Sequence, residues 1–375
     1  MKIRESNYDL LRILACIAVI GIHASATYIN MLYDNDFLKG VDNNVFITIL
    51  LNSLTRFAVP CFVMLSGAFI LYNKKNMDYC FFYKKTIKKI FLPTILFSFI
   101  YFLFGIFLDY GFSNIFSHII DLICGIPTGF FWYLWMVMGL YLMVPFIIRL
   151  INCVGEKTLI RFVLFYFLLA IPVGMTTKYK VYYAIGQSFN YLGYFILGYI
   201  LRKNSINKKN NIKGLSFIMI GLVIATLNAV IRYKIYINYH VSEEQLTGGF
   251  INLSNNFNPL NVIYSLLVFV GFSYIDTKKD YSKISNLTFY IFLFHFMFLT
   301  LLEKLILKYE LIQNNLAIFC VEIILTFLLS TLISYIYMCI KKYIEKKYAI
   351  SELIANKIII ELRKLLKIEK GVNNE

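Results

Sequence analysis

A chain of 375 residues that is 59% hydrophobic and only 15% charged is too apolar to be water-soluble, because soluble chains are about half apolar and about a quarter charged. The composition fits instead a polytopic membrane protein built of helices, each needing about 20 apolar residues to cross the hydrocarbon. The net charge of +16, from 37 Lys and Arg against 21 Asp and Glu, sits in short connectors and in the tail, which is the positive-inside pattern and excludes nucleic acid as the partner that charge serves.

Run lengths and periodicity predict ten membrane helices in an all-α chain. The first segment, Asp9 to Asn30, lacks a small-residue cleavage site and reads as a retained helix rather than a signal peptide. It carries Arg12 and His23. Eleven residues at about 100° each make three turns plus roughly 20°, so both side chains share one face, about 16 Å apart along the axis. An ionisable group inside hydrocarbon is costly and is a functional candidate by default. A lone membrane histidine is more often a helix-contact residue than a catalyst. An arginine on the same face brings the catalytic reading level with it, since arginine offers a permanent cation and a neutral imidazole can take up a proton.

The second segment, Asn44 to Tyr72, contains Arg56 and Pro60. Proline cannot donate the hydrogen bond that the Arg56 carbonyl would receive, so a kink is predicted there, with a polar backbone group and a buried arginine suited to lining a cavity. The alternative is an arginine paired with Asp9 or Glu322 for packing alone. At the start of the third segment, Ile87 to Tyr110, the stretch FYKKTIKKIFLP supplies Lys84, Lys85, Lys88 and Lys89. Lys85, Lys88 and Lys89 fall on one face, either setting topology or cradling the phosphates of a cytosolic cofactor.

The remaining segments are Phe130 to Leu150, Leu159 to Met175, Ile185 to Leu201, Gly214 to Tyr233, Pro259 to Ile275, Ser285 to Leu302 and Leu316 to Ile340. The polar stretch LRKNSINKKNNIK, Leu201 to Lys213, divides six helices from four. No internal repeat is evident, so a transporter made of duplicated halves gains no support. Basic connectors alternate with acidic ones holding Asp34, Asp36 and Asp42, then Glu243 and Glu244, which predicts both termini on the cytoplasmic side. After Lys341 the tail spaces apolar residues at helical intervals between lysines, favouring an amphipathic helix on the anionic inner leaflet over one packed on the protein. The seven cysteines are scattered without a C-x-x-C pair and read as packing residues, with no metal site.

Five stretches carry a resemblance: NYDLLRILACIAVIGIHAS, RFAVPCFVMLSGAFIL, WYLWMVMGLYLMVP, YLGYFILGYIL and FYIFLFHF. In this order, over about residues 5 to 340, the chain resembles acyltransferase family 3, bacterial membrane proteins that O-acetylate surface and secreted glycans. The resemblance implies His23 as the catalytic histidine, Arg12 as its partner, and Arg56 as the arginine opening the second-helix motif. Lys85 and Lys88 stand where many members have an R-x-x-R pair, keeping charge but losing the bidentate fork. Phe131 stands where many relatives have a histidine before the tryptophan, here Trp132, which falls to the acceptor side. His295 matches a ninth-helix histidine, placed near the depth of His23.

The function so implied is a membrane O-acyltransferase moving an acetyl group from acetyl-CoA to a sugar hydroxyl of a surface polysaccharide or lipid-linked glycan. Residues 1–340 form the membrane acyltransferase domain and residues 341–375 a basic amphipathic cytoplasmic tail, too short for the extra hydrolase-like domain of some members. The expected setting is the bacterial cytoplasmic membrane. The partners are the lipid bilayer, the glycan acceptor and glycan-biosynthesis proteins, with no nucleic acid. Two other classes stay open. One is a glycan exporter or flippase in which buried arginines bind an anionic substrate and His23 relays protons; the other is an interaction subunit without chemistry.

Overall fold

The structure is a computed structural model that describes residues 5–34, 43–107, 130–175, 187–205, 208–239, 251–309 and 315–365, with Ile119 and Thr247. The acidic connectors at Asp36, Asp42, Glu243 and Glu244 lie outside the described residues, as does the side chain of Asp34.

Where they are described, the ten predicted segments are mostly helical, the second being divided between two helices. In chain order the helices are α1 (Ser6–Asp34), α2 (Asn43–Thr55), α3 (Ala58–Ile70), α4 (Tyr79–Thr86), α5 (Leu92–Gly105), α6 (Trp132–Cys153) and α7 (Glu156–Met175). There follow α8 (Gln187–Ser205), α9 (Asn211–Tyr239), α10 (Pro259–Tyr274), the single turn α11 (Ser282–Ser285), α12 (Thr288–Tyr309), α13 (Asn315–Tyr348) and α14 (Ile350–Leu365). Among the described residues seven stretches are long and apolar enough to cross a membrane: Ser6–Ile29, Val45–Ile70, Tyr79–Gly105, Trp132–Cys153, Asn211–Tyr239, Thr288–Ile306 and Leu316–Tyr348. α10 is apolar but shorter, about 24 Å at 1.5 Å per residue against a core of about 30 Å.

Two compact units divide the chain. The first comprises Met1–Phe69, Glu156–Tyr182 and Asn190–Tyr335; the second comprises Ile70–Gly155, Tyr183–Phe189 and Ile336–Glu375.

In the first unit α9 packs along α10, and α1 contacts α2, α10, α11 and α12. Without a hydrophobic force between helices in lipid, small residues permit the close approach that dispersion requires. A Cβ on Gly198 of α8 would lie 2.0 Å from the Met64 carbonyl oxygen of α3, and one on Gly67 would lie 1.7 Å from that of Phe195. These two backbones touch only because both positions are glycine. Asn7 donates to the Phe272 carbonyl at 2.8 Å and Lys209 to that of Ser273 at 3.0 Å, satisfying last-turn carbonyls of α10, where a cation also opposes the helix dipole. At its other end Asn258 caps α10, accepting from Leu260 N at 3.1 Å, with Pro259 at the first helical position.

In the second unit, helix runs from Tyr79 through a π-helical stretch, Ile87–Phe91, into α5. The π turn precedes Pro93, which lacks the N–H that would continue the regular ladder; Leu92 N–H bonds back to Ile87 instead. Helix therefore begins eight residues before the predicted start, so the lysines lie within it, not ahead of it. Asp78 caps α4 by accepting from Phe81 N at 3.0 Å. The Tyr83 hydroxyl donates to the Leu142 carbonyl of α6 at 2.7 Å, and the Arg149 guanidinium lies 4.4 Å from the Tyr79 ring centroid. Ala349, at φ 46°, breaks α13 from α14. Of the two placements weighed for the tail, protein packing takes one face of α14: Ala355 and Ile359 bury against Ile87. Leu353, Ile354, Ile360 and Leu362 remain exposed, a second apolar face available to the leaflet.

Candidate active site

His23, Arg12, Arg56 and His295 belong to the first unit, and Lys85, Lys88 and Trp132 to the second.

α1 is unbroken from Ser6 to Asp34, so Arg12 and His23 keep the three-turn spacing on one helix. His23 is partly exposed, whereas His295 of α12 is fully buried. Their rings stand 5.3 Å apart between centroids, and Phe296 meets His23 edge-on at 5.7 Å. His295 Nδ1 contacts the Phe292 carbonyl. A carbonyl only accepts, so Nδ1 carries the hydrogen and, in the neutral ring, the lone pair is on Nε2. One turn beyond His23, Thr27 donates to Glu303 at 2.9 Å, and the Tyr28 hydroxyl donates to Glu322 at 2.9 Å. Glu322 is thus engaged by α1, not by an arginine.

Arg12 sits in a different environment. Its Nη1 donates to Asp9 Oδ1 at 3.2 Å and to Ser285 Oγ at 3.0 Å, while Ser285 also donates to Asp9. The guanidinium lies 5.7 Å from the Phe69 ring centroid, and Arg202 covers the same ring at 4.5 Å. Arg202 in turn grips Glu5 with Nε and Nη2 and donates from Nη1 to the Ala68 carbonyl at 3.0 Å. Each of these two arginines has its own carboxylate. That arrangement holds the start of α1 to the end of α3 and to α8.

Arg56 marks the break between α2, ending at Thr55, and α3, starting at Ala58, where the sequence placed a kink. Its partner is neither Asp9 nor Glu322 among the contacts seen. Nε and Nη2 donate to Asn52 Oδ1 at 3.1 and 2.7 Å, four residues back in the last turn of α2. Asn52 itself is anchored to α1, donating from Nδ2 to Ser25 Oγ at 2.9 Å. A second arginine, Arg232 of α9, donates to the same Asn52 oxygen at 3.0 Å and to Ser53 Oγ at 3.1 Å. Arg56 lies within electrostatic reach of His23.

In the second unit Lys84 and Lys88 both bind the Glu352 carboxylate of α14. These two ammoniums drive the exposed Glu352 carboxyl down to about 2. Trp132 opens α6 and stands 6.1 Å from Tyr133, centroid to centroid. Phe131 is fully buried against Phe130 at 4.7 Å and Tyr101 at 5.4 Å, where a phenyl ring needs no hydrogen-bond partner.

Asn52 and Arg232 were not singled out by sequence. The usable signal for Asn52 was its spacing of four from Arg56. Arg232 lies near the end of an apolar run, where an arginine ordinarily snorkels to the interface; here it is 3% exposed.

No curated protein and no solved structure matches the chain. The family described as an acyltransferase domain matches residues 5–335, a span that takes in the whole of α1 to α12. With its histidine and arginines held in membrane-length helices, the chain belongs to this acyltransferase family.

Proposed function

We propose that this protein is a membrane-embedded O-acyltransferase that moves an acetyl group from acetyl-CoA to a sugar hydroxyl of a cell-surface polysaccharide or lipid-linked glycan. It works in the bacterial cytoplasmic membrane with ten spans and both termini inside. The observation that carries this reading is His23: a partly exposed imidazole on a continuous membrane helix, backed by the buried ring of His295 at 5.3 Å and within electrostatic reach of Arg56.

His23 takes the proton of the acceptor hydroxyl as the oxygen attacks the thioester carbonyl, and returns it to the departing thiolate. His295, fixed through Nδ1 to its own backbone, packs beside it and limits the orientations of the His23 ring. Arg12 is a positioning residue, tied to Asp9 and Ser285. Lys85 and Lys88 attract the phosphates of the donor, with Glu352 competing for Lys88. Glycan-biosynthesis proteins supply the acceptor.

The test compares surface glycan quantity and O-acetyl content in a deletion strain complemented with wild type, His23→Ala or His23→Gln at matched membrane abundance. Loss of general-base assistance is worth roughly 10²- to 10⁴-fold, so acetylation is expected to vanish in both variants while glycan still reaches the surface. Full acetylation with His23→Ala removes the catalytic assignment. Reduced export with unchanged acetyl content favours a flippase instead.

A further inference from the structure

The chain between α9 and α10 does not stay at the ends of the helices it joins. α9 ends at Tyr239, yet the Leu253 carbonyl is back beside the middle of the same helix, accepting from Asn228 Nδ2 at 3.1 Å. Asn258 and Asn261 donate to the same carbonyl at 2.8 and 3.1 Å, and Asn261 also to that of Asn255 at 2.8 Å. Residues 252–258 are thus pinned as an irregular loop inside the first unit. Two contacts set its depth. Asn7 of α1 meets the Phe272 carbonyl of α10, and Tyr8 the Phe269 ring at 5.6 Å, so the two helices pass each other in opposite directions. From that level His23 is 16 residues along α1 and Asn258 14 residues back along α10, about 24 and 21 Å at 1.5 Å per residue. The loop therefore reaches the depth of His23.

At that depth residues 252–256 are each partly exposed. Irregular backbone and amide side chains do not face hydrocarbon; at membrane depth they occur inside protein or along a water-filled cavity. The exposed side of this loop borders such a cavity. Behind it stands an aromatic wall: Tyr191 and Tyr194 of α8 lie 5.0 and 5.6 Å from the Phe257 ring, and the Tyr194 hydroxyl donates to the Asn256 carbonyl at 2.7 Å. Asn256 Nδ2 donates to the Tyr191 hydroxyl at 2.7 Å, while its Oδ1 has no partner, and neither has Oδ1 of the fully buried Asn228. For Asn228 the orientation is fixed, because the Leu253 carbonyl can only accept. Buried amide oxygens are rarely left unpaired, so the loop suits a ligand that brings hydrogen-bond donors. A sugar, with its several hydroxyls, brings them; the phosphates of a nucleotide do not. Arg56 lies within electrostatic reach of both Tyr191 and His23, which sets the aromatic wall and the imidazole around one arginine.

We infer that residues 252–258 form the acceptor subsite, where the Asn256 amide binds one hydroxyl of the sugar and so directs a neighbouring hydroxyl to His23. The inference rests on the acyltransferase reading and deepens it. Asn256 is a specificity-determining residue, and the stretch NLSNNFN, a connector by composition, is a binding element.

The experiment uses the full-length protein in proteoliposomes, with acetyl-CoA as donor and the lipid-linked glycan fraction of the native membrane as acceptor, and follows thiol release and acetylated product together. Asn256→Ala is expected to raise the KM for the acceptor about 3- to 10-fold, as loss of one neutral hydrogen bond does, with kcat and the KM for acetyl-CoA within about twofold of wild type. A second arm needs no turnover. Asn256→Cys, in a background with the seven native cysteines replaced, is expected to react with a small membrane-impermeant thiosulfonate added outside right-side-out vesicles, and the glycan fraction is expected to slow that reaction while acetyl-CoA does not. This arm decides the matter where Asn256→Ala fails to insert. No reaction from outside overturns the cavity, and reaction that glycan does not slow overturns the subsite. A raised KM for acetyl-CoA at unchanged acceptor KM would assign the loop to the donor and overturn the inference. Wild-type kinetics in Asn256→Ala with a lowered melting temperature would leave the loop as packing, also overturning it. Protection by glycan without any turnover by wild type would overturn the acyltransferase reading and keep the glycan site; turnover by wild type without protection overturns this inference alone.

Discussion

Arg12 and Arg56 look alike in the sequence and differ in the structure, because each arginine's meaning is set by what its nitrogens meet. Arg12 is bound to Asp9, which is 3% exposed, so removing the guanidinium strands a buried carboxylate beside Ser285. Losing one partner of a buried pair costs about 3–5 kcal/mol; with the Arg12 side chain 27% exposed the expected cost of Arg12→Ala is nearer 2 kcal/mol. Adding Asp9→Asn to Arg12→Ala is expected to restore part of that loss, because the stranded charge is gone. Thermal unfolding in detergent of the two singles and the double checks this; strict additivity would mean that the pair does not couple. The same comparison bears on function, since an Arg12 that only positions α1 keeps its activity in step with folded protein. The i, i+3 spacing on one helix could have assigned Asp9 to Arg12 over Arg56; Ser285 and Phe69 could not be assigned, because they come from other helices.

At the scale of the element, α14 is the clearest case of a helix whose charges and apolar face have separate destinations. Ala355 and Ile359 seat it on Ile87, and Glu352 closes onto Lys84 and Lys88. A carboxyl depressed to about 2 contributes to docking fully above its ordinary range, and the contribution is lost as pH falls toward 2. Between about pH 6 and 8 the contact is therefore constant. An exposed ion pair contributes little, so Glu352→Gln is expected to lower the KM for acetyl-CoA by a few-fold at most, by the same factor at both ends of that pH window. An unchanged KM would take Lys88 out of the donor site. The amphipathic pattern was legible in the sequence because periodicity reports how many faces a helix has. It could not say that Ala355 and Ile359 would meet protein while Leu353 and Ile360 stay exposed. The start of α4 was missed for a related reason: Tyr79 to Phe91 mixes lysines with aromatics, so its mean apolarity hides a helix that Asp78 caps and Pro93 distorts.

For the molecule as a whole, composition reveals helices more readily than it reveals crossings. Where they are described, the ten apolar runs are mostly helical, since hydrocarbon-length runs have no other way to satisfy their backbone. Among the described residues, only seven stretches satisfy the length and apolarity of a span unaided. α10 is 16 residues long and carries Asn261, Ser265 and Ser273, which bond within the protein, Asn261 to the carbonyls of Leu253 and Asn255 at 3.1 and 2.8 Å. Such a helix can cross only if other helices shield its polar groups, because an isolated one would leave them facing lipid. α8 likewise ends in Arg202, Lys203 and Asn204, a last turn suited to the cytoplasmic interface and the C-terminal end of the helix dipole. If α7, α8 and α10 all cross, ten spans result and charge decides their direction: Lys203, Lys208, Lys209 and Lys213 face the cytoplasm with Lys341 and Lys342, while Asp36 and Glu243 face out. If any one of the three does not cross, every later connector changes side. Single cysteines at Asp36, Lys208, Glu243, Lys279 and Lys346, in a background with the seven native cysteines replaced, separate these cases with a membrane-impermeant maleimide on intact cells. Labelling of Asp36→Cys and Glu243→Cys alone is the expected result. Labelling of Lys279→Cys from outside would show that α10 fails to cross, and would put the C-terminal helix on the wrong side for Glu352 to meet Lys88.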